Sequence, residues 1–457
     1  MRAWLASKGV HRKEPEFELR DALAQPGCAI CRLAARTAAR QLDIISYESV
    51  NDIELRAKLR ESRGFCRKHF WQFLEETRDP LGTALVAKDV INTLATMIEL
   101  PGLKRGITAA IQDLVIGRRR RSTTSSLSSE WLAPTRRCVI CVAAEETELT
   151  YLELLVGRLT EPTFAAAWNT SEALCWPHLA RTLQLSPSEA ALDLLLDRSA
   201  AVLGVLGAGP IDDANAAARL LGATHGYFVA ERRLLLPELL ADPLRRKLEE
   251  VVRPDGPAKP ACVVCRNLAE REPIEVKTGL DQDIGALCPH HAWRLLVGRG
   301  EAAAARLAAL CQTRRETLAK LATRSSESAD RGADRRVRVL ALAAESRTEA
   351  RCPECSRDAS AAEAEVSRLA GDVLTGGGTG GGYCLEHLLA MLRFADKRAR
   401  KLILGEEVLA LRGLSAELAE FIRKHDYRFL AEERGTERGS PWRAVELLAG
   451  PRWFRDG

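Results

Sequence analysis

The chain has 457 residues, 46% hydrophobic and 5% aromatic, enough for several cores and too long for one ordinary domain. No run of eighteen apolar residues occurs and the first residues, MRAWLASKGVHRKEPE, hold no unbroken apolar stretch, so the sequence reads as a cytoplasmic protein with no export signal and no membrane partner. The 67 Lys and Arg nearly balance the 62 Asp and Glu, leaving +5, from which nucleic-acid affinity through bulk charge does not follow. Periodic Leu- and Ala-rich segments exclude disordered and collagen-like chains and predict a mainly α fold.

In chain order the cysteines set the frame. Twelve of the thirteen fall into a pattern repeated four times, a CxxC followed after a gap by a CxxH. The sets are Cys28, Cys31, Cys66 and His69; Cys138, Cys141, Cys175 and His178; Cys262, Cys265, Cys288 and His291; and Cys352, Cys355, Cys384 and His387. The gaps hold 34, 33, 22 and 28 residues. Apolar residues recur one, four and five places after most of the histidines, ending at Leu74, Leu183, Leu296 and Leu392, so a helix starts at each CxxH. Pro177 and Pro289 stand in the first turn of two of these helices, where a missing N–H costs nothing. Helical sequence also follows each CxxC, and each module reads as a helical hairpin pinned at its base. Further helices are predicted over 83–99, 187–207, 301–323 and 397–430, the last broken near Gly413, with a final helix from Ser440-Pro441 to Gly450. Polar or proline-rich linkers are predicted at 118–129, 253–260 and 325–336, and the glycine run at 376–382 reads as a loop joining the halves of the fourth site.

These features divide the chain into tandem helical modules at 1–121, 134–253, 254–330 and 331–457, the first two joined by a basic, Ser-rich linker at 122–133, and each module is pinned by its own CxxC…CxxH site. Only the first is noticeably basic, at +7.

Two cysteines separated by two residues can turn both sulfurs toward one point, and a CxxH at a helix start does the same. Three thiolates and one imidazole fill a tetrahedral shell and leave no place for water or substrate, the pattern of a structural site. About four structural zinc ions per chain are expected, with an iron–sulfur cluster as the chemical alternative. In the sequence CPHH, repeat alignment selects His291 as the ligand and makes His290 an exposed neighbour. Cys311 has no partner in the pattern and reads as a small buried residue. His11, His225 and His425 lack ligand-like spacing, and GVLGAG at 204–209 reads as a helix stop. Trp71 and Trp293, each two places after a ligand histidine, read as packing residues.

The segment ISYESVNDIELRAKLRESRGFCRKHFWQFL around Cys66 and His69 resembles an uncharacterised bacterial family with a CxxCRL opening. IRKHDYRFLAEERGTERGSPWRAVELLAG at 422–450 is similar to the closing segment of the same family. The resemblance covers about the first hundred and the last hundred residues and implies a bacterial cytoplasmic zinc protein, with internal duplication accounting for four modules. It supplies no reaction, and it draws attention to Tyr427, Arg428, Trp442 and Arg443.

The leading functional expectation is a non-enzymatic zinc-binding helical repeat protein that acts as an interaction scaffold for a protein partner, because filled sites build surface and no reactive centre. Two other readings stand beside it: a nucleic-acid-binding or regulatory zinc protein using the first module and Arg118, Arg119, Arg120 and Arg121, and a thiol-based redox sensor or enzyme. If the four arginines are only a linker, their replacement by serine leaves the thermal melting curve unchanged. A salt-dependent loss of DNA or RNA binding in that variant would move the nucleic-acid reading to first place.

Overall fold

Eight cysteines share one local situation, and it fixes where the helices begin. The carbonyl groups of Cys28, Cys66, Cys138, Cys175, Cys262, Cys288, Cys352 and Cys384 each accept a hydrogen bond, at 2.8–3.1 Å, from the backbone N–H four residues on. Each of these cysteines therefore stands at a helix N-cap, and the second ligand of its motif, three places later, lies in the first turn.

The computed structural model describes residues 14–77, 79–99, 129–210, 214–226, 262–270, 283–322, 330–345, 352–374 and 382–451. Among them no strand occurs. The first half of the chain forms α1 (Pro15–Leu23), α2 (Ala29–Ile44), α3 (Ile53–Glu61), α4 (Arg67–Glu76), α5 (Pro80–Glu99), α6 (Val139–Arg158), α7 (Pro162–Thr170), α8 (Trp176–Gln184), α9 (Glu189–Ala208) and α10 (Ala214–His225). The second half forms α11 (Val263–Glu270), α12 (Pro289–Arg299), α13 (Glu301–Ala322), α14 (Asp330–Glu345), α15 (Pro353–Leu374), α16 (Leu385–Phe394), α17 (Lys397–Arg423) and α18 (Ser440–Ala449).

These helices pack as two units, each built from three separate stretches: 1–37, 143–242 and 275–357 in the first, and 38–142, 243–274 and 358–457 in the second. The division falls within α2, α6 and α15. The four contiguous modules expected from the sequence are therefore not the units in which the chain packs. Helix length is the reason. From Cys28, α2 runs 16 residues, about 24 Å at 1.5 Å per residue, while α3 before Cys66 has only nine, about 14 Å. From Cys138, α6 runs 20 residues, about 30 Å, against nine in α7, again about 14 Å. Neither pair makes a hairpin of matched arms.

In the first unit, α9 and α13 lie against each other with little between them. A Cβ on Gly207 would meet the Ala308 carbonyl oxygen at 2.8 Å and Cys311 Cβ at 3.1 Å, so glycine there sets the approach. Cys311 is wholly buried, as expected of a small packing residue. Arg335 on α14 is itself buried and ties the long helices together, donating to the Leu321 carbonyl at 2.8 Å, Glu189 at 2.9 Å and Asp193 at 2.7 Å.

In the second unit the corresponding long pair is α5 and α17, joined by Arg412 to Glu99 and by the Ser415 hydroxyl donating to Asn92 at 2.8 Å. Helix α5 is long and apolar enough to cross a membrane by length and composition, yet eleven of its residues are buried in this core. The closing segment seals the unit. Trp71 on α4 donates its indole N–H to the Gly450 carbonyl at 3.1 Å and meets Trp442 edge to face, ring centres 4.5 Å apart. Gly450 ends α18 with φ +81°, a conformation that favours glycine, and a Cβ there would displace the Arg67 guanidinium, 2.6 Å away.

The units have the same internal plan. Each holds two CxxH helices with their following long helices: α8–α9 and α12–α13 in the first, α4–α5 and α16–α17 in the second. Each also holds a short helix followed by a glycine with positive φ, α10 with Gly226 and α18 with Gly450.

Three other expectations change. Helix α17 continues through Gly413 to Arg423, because no neighbour crowds that glycine and the apolar face runs unbroken through Leu411, Leu414 and Leu418. Part of the linker expected at 325–336 is helical, since α14 starts at Asp330. His290 is buried rather than exposed, its ring 5.0 Å from that of His291. The expected linkers at 118–128 and 253–260, Arg118 to Arg121 within them, His11, and residues 376–381 of the glycine run lie outside the described residues.

Trp71→Ala removes a buried aromatic side chain together with its bond to Gly450, and should lower unfolding free energy by about 3–5 kcal/mol. Denaturant titration followed by helical circular dichroism measures this.

Candidate metal centres

All sixteen predicted ligands converge, in four clusters, with their donor atoms within 4.8 Å of one another. The partners are not the ones the sequence order suggested. Site 1 joins Cys28 and Cys31 to Cys175 and His178; site 2 joins Cys66 and His69 to Cys138 and Cys141. Site 3 joins Cys262 and Cys265 to Cys384 and His387; site 4 joins Cys288 and His291 to Cys352 and Cys355. The first and second motif sets have exchanged halves, and so have the third and fourth. Sites 1 and 4 lie in the first unit, sites 2 and 3 in the second. The glycine run at 376–382 thus separates Cys355 and Cys384, which belong to different sites.

Every site is two helix N-termini facing each other. The four CxxH cysteines have extended N-cap conformations, φ between −64° and −70° and ψ between 155° and 166°. The partial positive charge at each helix start is aimed at the sulfurs, and so favours the thiolate form.

The histidine presents Nδ1 in all four. The Nδ1 to Sγ distances are 3.1–3.5 Å in site 1, 3.2–3.6 Å in site 2, 3.2–3.5 Å in site 3 and 3.2–3.4 Å in site 4. One Sγ to Sγ distance in each site lies at 3.6–3.8 Å. A tetrahedral ion with bonds of about 2.3 Å to sulfur and about 2.0 Å to nitrogen has edges of about 3.8 Å between sulfurs and about 3.5 Å from sulfur to nitrogen. The donor sets fit that ion. A disulfide would need about 2.05 Å, and all thirteen cysteines are free.

Hydrogen bonds from the Cys141 and Cys66 thiols hold Cys138 far below the ordinary thiol range, while the bond with Cys138 pushes Cys141 far above it. A bound dication would favour the thiolate form at all three sulfurs.

Charged side chains that sequence reasoning passed over hold the ligands in place. Burial alone would raise the Glu148 carboxyl, but His178, whose Nε2 lies 3.7 Å away, and Arg181 keep it below its usual range. Glu148 therefore faces the ring nitrogen opposite Nδ1, the side from which a carboxylate orients a metal-binding imidazole. Glu172 accepts from the Gly27 N–H at 2.8 Å, just before Cys28, and Glu407 accepts from the Tyr383 N–H at 3.0 Å, just before Cys384. Arg63 is buried with φ +58° and donates to the carbonyls of Arg60, Trp131, Leu132 and Ala133, steadying the approaches to Cys66 and Cys138. Arg314 stacks over Trp176, next to Cys175, at 4.5 Å from the ring centre. No ligand spacing marks these residues, and Glu148, Glu172, Glu407 and Arg314 act on motifs from well outside them in sequence.

Residues 15–193 match a Family of unknown function (DUF6062). The matched stretch of DUF6062 contains every ligand of sites 1 and 2 and none of sites 3 and 4, so it corresponds to one complete pair of exchanged sites. The match runs on from the opening segment through the second module, and the closing segment at 422–450 lies outside it. No curated protein and no solved structure matches the chain.

The remaining candidates have structural places. His225 is buried, its Nε2 2.9 Å from the Ile284 carbonyl, and burial pushes its pKa down to about 4. His425 contacts the Phe421 carbonyl through Nδ1 at 2.7 Å. In the closing segment Lys424 pairs with Glu437 at 2.9 Å, Arg443 bonds Glu417 and the Thr436 carbonyl, and Arg428 pairs with Asp426, while Tyr427 is exposed.

The exchange has a direct test in zinc counting. Cys28→Ala combined with His178→Ala should cost about one zinc, because both ligands serve site 1. Cys28→Ala combined with His69→Ala should cost about two. The reverse result would restore the pairing by sequence order.

Proposed function

We propose that the protein is a non-enzymatic, zinc-stabilised helical scaffold of the bacterial cytoplasm that presents its surface to a protein partner. The observation that carries this reading is the donor count. Each cluster brings three sulfurs and one imidazole nitrogen to the corners of one tetrahedron, which leaves a zinc ion no open position for water or substrate. Zinc suits the site better than iron because the set is of mixed soft and borderline donors, with edge lengths for one four-coordinate ion rather than a cluster of several metals.

The metal supplies folding free energy. Every ion joins two helix starts from distant parts of the sequence, and so closes a long loop that would otherwise cost entropy. Each unit holds two such clasps, which brace helices of unmatched lengths.

Elemental analysis of purified protein should find about four zinc ions per chain and negligible iron, and cobalt substitution should give the visible bands of tetrahedral thiolate coordination. Acid should release the metal as protons compete for sulfur, with loss of helical signal. Fewer than two zinc ions, or iron with sulfide, would overturn the reading.

A further inference from the structure

The four clusters differ in how far they are shielded. Site 1 is buried at all four ligands; site 3 has three buried and one half-buried; site 2 has two of each. Site 4 alone contains an exposed ligand, Cys355, beside the half-buried Cys288. These two sulfurs stand 3.7 Å apart. They come from different helices, Cys288 from the start of α12 and Cys355 from the first turn of α15.

We propose that Cys355 and Cys288 form an oxidative modification site for hydroperoxides, through which site 4 gives up its metal while the other three sites keep theirs. The proposal rests on the metal-bound reading for the ion and on geometry for the thiol pair. The Cys355 thiolate attacks one oxygen of the peroxide, the O–O bond breaks, and the sulfur becomes a sulfenic acid while the other oxygen leaves as hydroxide or alkoxide and takes up a proton. The Cys288 thiolate then attacks the sulfenic sulfur, forming the S–S bond and expelling hydroxide, which is protonated to water. Two electrons pass from the two sulfurs to the peroxide. The ion loses two of its four ligands and dissociates.

Access decides the order. A nucleophilic sulfur must be reached along its line of attack, and only site 4 leaves one exposed. Closure to a disulfide needs the sulfurs to approach from 3.7 Å to about 2.05 Å, and loss of the ion frees both to move. In the buried site 1 the same chemistry must wait for local opening.

The test uses the full-length protein as purified, treated with less than one equivalent of hydrogen peroxide per chain. Released zinc is read with a coloured chelator, and thiols are mapped by differential alkylation and peptide mass spectrometry. The expected result is a fast phase that releases about one zinc per peroxide consumed, with Cys288–Cys355 the main disulfide and Cys28, Cys31 and Cys175 still reduced. Cys355→Ser should lack that fast phase. A first disulfide in another site, or within the Cys352–Cys355 pair, would overturn the proposal, as would a fast phase unchanged in Cys355→Ser. Protein purified without metal would overturn the zinc reading and the metal release together, while the disulfide map of the unmutated protein after peroxide would still decide which thiols react.

Discussion

Two helix starts meeting at one point is the arrangement on which the rest of this structure depends. A cysteine at an N-cap and a second ligand in the first turn give two donors on a single short arc, and eight such arcs close into four tetrahedra. One pair of sulfurs in each site stands at 3.6–3.8 Å. A bound dication would offset the repulsion between neighbouring thiolates, and the thiolates in turn attract the positive ends of both helices. The helices then need only pack well enough along their lengths to set the rest of each core.

The exchange of halves follows from the long helix that each of the first two CxxC motifs begins. Such a helix carries the chain tens of ångströms from its own cysteines, and the nine-residue helices α3 and α7 that follow are much shorter than the helices they would have to match. The nearest complementary ligand pair then comes from another module. The result is reciprocal, so that each set of motifs completes another and none is left over. The family match to residues 15–193 ends after one such closed pair, which makes the pair, and not the single CxxC…CxxH set, the smallest self-consistent piece of this architecture.

Charged side chains around the sites have the same logic. Glu172 and Glu407 accept from the backbone immediately before a ligand cysteine, Arg63 gathers four carbonyls beside site 2, and Glu148 faces the ring of His178. Each fixes a loop or a ring that would otherwise add freedom to a ligand. The closing segment acts on a larger scale. Trp442 against Trp71, and the Gly450 and Ala449 carbonyls accepting from Trp71 and Arg67, hold the last helix over the start of α4, where Cys66 and His69 stand.

The sequence by itself determined the ligands, their donor chemistry and the helical character, because a CxxC or CxxH spacing and an apolar period are local properties that need only a turn or two of chain. It placed α5, α9, α13 and α18 to within a few residues, and it marked Gly450 as a helix stop, for the same reason. Tertiary structure alone decided which cysteines come together in one cluster. That choice depends on where a 16- or 20-residue helix delivers the chain, and no spacing between motifs encodes a direction in space. Tertiary structure also decided the burial of His290, the continuity of α17 through Gly413, and the exposure of Cys355, since each is set by neighbours brought from elsewhere in the chain.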